Sequence, residues 1–155
     1  MNAYSDNINL FSDNNLKKFI YTEKIDEIGI AIINLDNWIQ PESDEEMSNT
    51  TKFIVNQFLN ALHISKSVGK EYFNVKIYFE KFKVKSINYK FAKYLSLILK
   101  ELFKDKLGKA ILLDPPLIFI HTYDILKTFL DKKTRTKIEL ISTKDKQLLY
   151  EDIIK

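Results

Sequence analysis

At 155 residues the chain is long enough for one domain that buries roughly two thirds of its unfolded surface, and 45% hydrophobic with 29% charged residues is a globular composition, not a disordered one. It has no cysteine, which excludes disulfides, zinc knuckles and thiol chemistry, and no apolar run approaches the ~18 residues of a membrane helix. The net charge of +3 is unevenly spread: ten acidic residues against three lysines through residue 50, then eleven acidic against twenty-one basic.

Met1 to Asn9 is polar and lacks the basic start and apolar stretch of a signal peptide, so a cytoplasmic protein is expected. Residues 1–24 carry a weakly periodic apolar set, Leu10, Phe11, Leu16, Phe19 and Ile20, which suits a short packing helix or a partly ordered lead-in. Ile28 to Leu35 is a β-branched run and reads as a buried strand. Trp38, the only tryptophan, follows it and is expected in the core or at its rim.

Ser43 and Glu46 have the spacing of a capping box, and Phe53, Ile54, Phe58, Leu59 and Leu62 then share one helical face. Val75, Ile77 and Phe79 alternate with Lys76, Tyr78 and Glu80, a strand pattern whose phase changes near Lys81. From Ser86 to Phe103 the apolar residues recur at three and four (Phe91, Tyr94, Leu95, Ile98, Leu99, Leu102), an amphipathic helix that Gly108 is expected to end. Ala110 to Leu113 is a short apolar strand. Pro115-Pro116 forces a break, Leu117 to Leu130 reads as a helix, and Lys137 to Ile141 as a further strand. Ser142 with Asp145 can cap a last helix. Alternating strands and helices imply right-handed crossovers and a mainly parallel α/β sheet.

No catalytic constellation accompanies this fold. Phosphate-gripping glycine loops, zincin helices and nucleophile elbows have recognisable spacings, and none occurs. His63 and His121 stand alone on apolar helices and read as structural histidines. A non-enzymatic protein without cofactor or metal is the expectation. The stretch from Lys76 to Lys109 holds ten lysines against three acids, which suits an anionic membrane surface. Only one basic residue, Arg135, is arginine, which counts against nucleic acid as a partner.

One segment carries a specific signal. Phe103-Lys104-Asp105-Lys106 is followed by the strand ending in Asp114-Pro115-Pro116, the apolar helix, and then Leu130-Asp131-Lys132-Lys133-Thr134-Arg135-Thr136-Lys137-Ile138. This resembles the C-terminal half of the CRAL-TRIO lipid-binding domain of phosphatidylinositol/phosphatidylcholine transfer proteins. That family has an aromatic-Pro-Glu-Arg segment, a strand ending in Asn-Ala-Pro, a mobile helix and Leu-Asp-Pro-x-Thr-x-x-Lys-Ile, at the same separations.

The resemblance extends over roughly residues 25–155, leaves 1–24 as a lead-in segment, and implies a minimal form without the family's N-terminal helical subdomain. It implies a gate helix, about Pro116 to Leu130, over an apolar lipid pocket. Candidate pocket and gate residues are Ile77, Phe79, Phe91, Leu95, Ile111, Leu113, Phe119, Ile120 and Tyr123, each of which is equally suited to plain core. The headgroup positions fall on Asp105 and Lys137, with Thr134 offering a neighbouring hydroxyl. Here Asp105 is one methylene shorter than the family's glutamate, and Lys104 and Lys106 replace its proline and arginine.

The function implied is a lipid-binding and transfer protein that encloses one phospholipid, phosphatidylinositol first, and exchanges it at anionic membranes as a peripheral protein. The alternatives are a carrier of fatty acid or another hydrophobic ligand, and a protein-interaction adaptor; loss of the N-terminal helices would also suit a homodimer.

Overall fold

The computed structural model describes residues 10–79, 88–116, 119–120, 123–124, 127 and 131–142, without the side chain of Tyr89. The expected phase change near Lys81, the last helix from Ser142, His121 and much of the Leu117–Leu130 helix lie outside these residues.

Residues 10–24 contribute to the core. Ser12 caps a single helical turn, α1 (Asp13–Leu16), and Phe11, Leu16, Phe19 and Ile20 are buried. Strand β1 (Ile20–Ile25) then pairs antiparallel with β2 (Ile28–Asn34). Asp26 and Glu27 between them both have positive φ (52° and 67°), as a two-residue type I′ hairpin requires. The division expected at residue 25 therefore falls inside a hairpin.

The capping box forms as its spacing suggests: Ser43 Oγ accepts from the Glu46 N–H at 3.1 Å, and Glu46 Oε1 accepts from the Ser43 N–H at 3.2 Å. Those backbone donors, with Glu42 N–H first among them, hold the Glu46 carboxyl below its ordinary range. Helix α2 (Asp44–Lys66) grows from this cap and packs on β1, β2 and β3. Gly29 is what lets it approach β2. A Cβ there would overlap the Ala61 carbonyl, and the Gly29 N–H donates to Ser65 Oγ at 2.9 Å. His63, expected as a structural histidine, is on the exposed side of α2.

Strand β3 (Phe73–Tyr78) leads to helix α3 (Tyr89–Leu102), capped by Asn88, and then to β4 (Leu107–Leu113). Gly108 does not end α3. It lies within β4, where a side chain would collide with Asn74 and Tyr72; the helix ends at Phe103, and Asp105, at φ 61°, makes the turn into the strand. Residues 119–120 and 123–124 are helical. Asp131 caps a one-turn helix, α4 (Lys132–Arg135), which delivers the chain into β5 (Ile138–Ile141).

The sheet order is β1-β2-β3-β4-β5, with β2 to β5 parallel and only β1 antiparallel. This is the mainly parallel α/β architecture expected. Crossovers of one hand between strands laid down in monotonic order put their helices on one face. Phe58 of α2 and Leu99 of α3 accordingly line the same space as Val75 and Ile77 of β3. Between them sits the core of Phe53, Ile54, Phe58, Leu62, Phe73, Val75, Phe103 and Leu112.

Candidate functional site

The packing is incomplete beneath α3. There, an apolar cavity of about 240 Å³ is floored by Phe73, Val75 and Ile77 of β3 with Ala110 and Ile138 of the neighbouring strands. Phe58, Phe73 and Phe103 close one wall as a triangle of rings with centroids 5.2 to 5.6 Å apart. Rings in such tilted and edge-on arrangements attract one another but cannot fill space as closely as aliphatic side chains of mixed size.

The cavity's edge is charged. Lys100 of α3, Lys104 in the turn after it, Asp131 and Thr134 border it. Leu107 belongs to its wall and also to that of an open groove of about 610 Å³ at the amino ends of the parallel strands, which holds Tyr72, Asn74, Asp105, Lys109 and Lys137. Asp105 Oδ1 accepts from Lys133 Nζ at 2.7 Å. That hydrogen bond and charge, reinforced by Lys104 and Lys137, keep the Asp105 carboxyl below its ordinary range and raise the Lys133 ammonium above its own. Asp131 is lowered first by the Thr134 N–H, which donates to Oδ1 at 2.7 Å, then by the Thr134 hydroxyl, with Lys100 and Lys137 adding their charges.

Of the three expected headgroup residues, Asp105 and Lys137 share the groove. Thr134 lies in the adjoining cavity edge, and its hydroxyl is engaged by Asp131. The Leu-Asp-x-x-Thr pattern thus has a local structural cause, since Asp131 caps the turn that Thr134 completes.

The pocket candidates divide. Ile77 lines the cavity. Leu95 is half-buried against the core. Phe119, Ile120 and Tyr123, from the expected gate, are buried in that core, and Phe119 stacks on Phe79 at 4.6 Å. Burial also pushes the Tyr123 hydroxyl up. Phe91 instead stacks on Trp38 with ring centroids 5.9 Å apart, and Trp38 in turn meets Phe19 at 4.9 Å. Ile111 and Leu113 must be reassigned. Their register partners are Lys76 and Tyr78 on β3, whereas the cavity side of β4 is Ala110 and Leu112, which pair with Val75 and Ile77. Strand alternation therefore points them to the other face of the sheet.

Phe58, Phe73, Leu99 and Phe103 of the cavity, and Lys133 paired to Asp105, were not among the expected site residues. The Phe103 ring does occupy the aromatic position of the matched segment, and Phe58 the apolar face of α2. Among the described residues, no group of three His, Cys, Asp or Glu side chains is placed to hold a metal ion, and no helix is long and apolar enough to cross a membrane.

A comparison with curated protein sequences found no match. Among solved structures, the crystal structure of Sfh5 is similar over 94% of this chain, with a TM-score of 0.70 at 13% identity, so the likeness is one of fold. The match spans 58% of that protein's chain. The model of the CRAL/TRIO domain matches residues 14–155, which takes in α1 from its second residue, the whole sheet and every residue of the cavity and groove. The chain belongs to the CRAL/TRIO domain family.

Proposed function

We propose that the protein encloses an anionic phospholipid, of the inositol-lipid class that the family resemblance implies, and exchanges it between membrane surfaces without chemistry on the lipid. The observation that carries this is the apolar cavity opening beside a cluster in which lysines outnumber aspartates. Each acyl methylene left in water costs about 0.8 kcal/mol, so a carrier must surround the chains it extracts. At about 240 Å³ the cavity is below the roughly 300–1,000 Å³ usual for ligand pockets, so loading would enlarge it. The segment after Pro116, in contact with the sheet through Phe119 on Phe79, is the element the family resemblance casts as the gate.

Membrane contact is the second part of the proposal. Helix α3 exposes Tyr94, Leu97 and Leu102, each about half accessible, beside Lys93 and Lys100. Apolar side chains among lysines suit an anionic bilayer surface, where each lysine contributes about 1 kcal/mol at most. Raising salt should weaken vesicle docking and leave cavity occupancy unchanged.

The deciding experiment is transfer of labelled phosphatidylinositol between vesicles, with phosphatidylcholine in parallel. Protein-dependent transfer of phosphatidylinositol, reduced in Lys137→Ala, is the expected result. Transfer of neither lipid removes the exchange reading. The small cavity would then favour a second reading, a carrier for a single-chain amphiphile such as a fatty acid.

A further inference from the structure

The charged edge of the cavity contains more than the family pattern accounts for. Lys133 fills one of the unspecified positions in the Leu-Asp-Pro-x-Thr-x-x-Lys-Ile pattern, yet it is the residue that holds Asp105. Around the cavity edge and the adjoining groove stand Lys100, Lys104, Lys133 and Lys137 against Asp105 and Asp131. Lys109 is matched separately by Glu139 at 3.5 Å, and Lys106 by Glu71 at 3.4 Å. The cluster is left with an excess of two positive charges.

Several of its side-chain acceptors are already drawn on. Asp105 accepts from Lys133, Asp131 from Thr134, and Asn74 Oδ1 from the Lys109 N–H at 2.9 Å. A polyol ring needs acceptors as well as donors, because each hydroxyl carries a proton to give. A phosphate needs donors only, and ammonium groups are donors only. A phosphodiester brings one negative charge, whereas a terminal phosphomonoester brings about 1.5 to 2 at neutral pH.

We infer that this site, given the lipid-carrier reading on which the inference rests, selects lipids ending in a phosphomonoester over phosphodiester lipids, and that Lys133 sets the preference. Lys133 acts twice: it adds a charge to the cluster, and it takes one of the two Asp105 carboxylate oxygens that hydroxyl groups would otherwise use. Phosphatidate and a phosphorylated phosphatidylinositol both present the required chemistry.

The test measures extraction of labelled lipid from otherwise neutral vesicles containing, in separate arms, phosphatidate, phosphatidylinositol 4-phosphate or phosphatidylinositol, with acyl chains held constant. Extraction of the monoester lipids should exceed that of phosphatidylinositol by about fivefold, the effect of one further charge pair in a hydrated site. An excess in both monoester arms assigns the monoester itself; an excess for phosphatidate alone assigns a phosphate without the sugar. Lys133→Ala should bring the ratio towards one by lowering the monoester arms and raising phosphatidylinositol, while Lys133→Arg preserves it. An unchanged unfolding midpoint for both variants shows that the shift is one of recognition. Equal extraction of all three lipids by the parent protein, or a ratio that Lys133→Ala leaves intact, overturns the inference while the carrier function stands. No extraction in any arm removes the carrier reading itself.

Discussion

The face of the sheet that carries α2 and α3 is packed in two contrasting ways. Between α2 and the β1–β2 hairpin the contact is made by the smallest residues available. Gly29 brings its backbone against that of Ala61, and the fully buried Ser65 accepts from the Gly29 N–H. Under α3, by contrast, three phenylalanine rings meet at angles and leave a cavity. The contact of Gly29 with Ala61 and Ser65 involves no titrating side chain, and the open region is bordered by Lys100, Lys104 and Asp131. Space and charge were left together, which is the arrangement an amphiphile needs, and the tight seam supplies the rigidity against which that opening can be held.

The sharpest way to break this contrast is at the seam. Gly29→Ala puts a methyl group into the Ala61 carbonyl, so α2 must shift and the Ser65 hydrogen bond weakens. The expected destabilisation is about 3 kcal/mol, read from equilibrium denaturant unfolding. A cost below about 1 kcal/mol would show that the seam yields easily. On the open side the same kind of enlargement should behave differently. Val75→Phe adds volume at a buried floor position that faces the cavity and keeps a good strand former there. Stability should change by less than about 1 kcal/mol while lipid extraction is lost; a full overpacking cost of 1–3 kcal/mol, on the order usual for a filled core, would mean that the cavity is not available to side chains.

Acid sharpens the comparison further, with the smallest effect. The Asp105 and Asp131 carboxyls are both held low by their partners, so their contributions are complete above the ordinary value of about 4 and decline as pH falls through the lower folded values. The neutral seam has no such dependence. Thermal midpoints followed from pH 5 to pH 3 should fall less in Asp105→Asn than in the parent. An identical decline would place the acid sensitivity elsewhere, for example at the Glu46 cap.

What could be read in the sequence follows from the same physics. Helix α2 announced itself because Ser43 and Glu46 form a cap that depends on local spacing alone. Strand β1 did not, since an edge strand that buries only Ile20 has no reason to alternate. Gly108 suggested a helix end because glycine often marks one; its actual cause, room for Tyr72 and Asn74 of the neighbouring chain segment, is a tertiary fact. The consecutive apolar residues Ala110, Ile111, Leu112 and Leu113 cannot reveal which face is which, and only register with β3 does. The position of the site was equally hidden from fold rules. Open α/β sheets usually bind ligands at the carboxyl ends of strands where the order reverses, but this order never reverses and the groove lies at the amino ends. Asp105 and Lys137 were reached only through the likeness to a family, and the pairing of Asp105 with Lys133 by neither route.

Asp26, Glu27, Asp105 and Asp114 are the non-glycine residues of positive φ among the described residues, and all four are acidic. In a chain with three glycines, carboxylate-bearing residues have taken over the bends that glycine usually makes. For Asp105 this ties two properties to one position. Asparagine and glycine, the easiest replacements for the bend, both discard the negative charge, so either would make the groove more cationic. The electrical character of the groove is thereby coupled to a backbone angle.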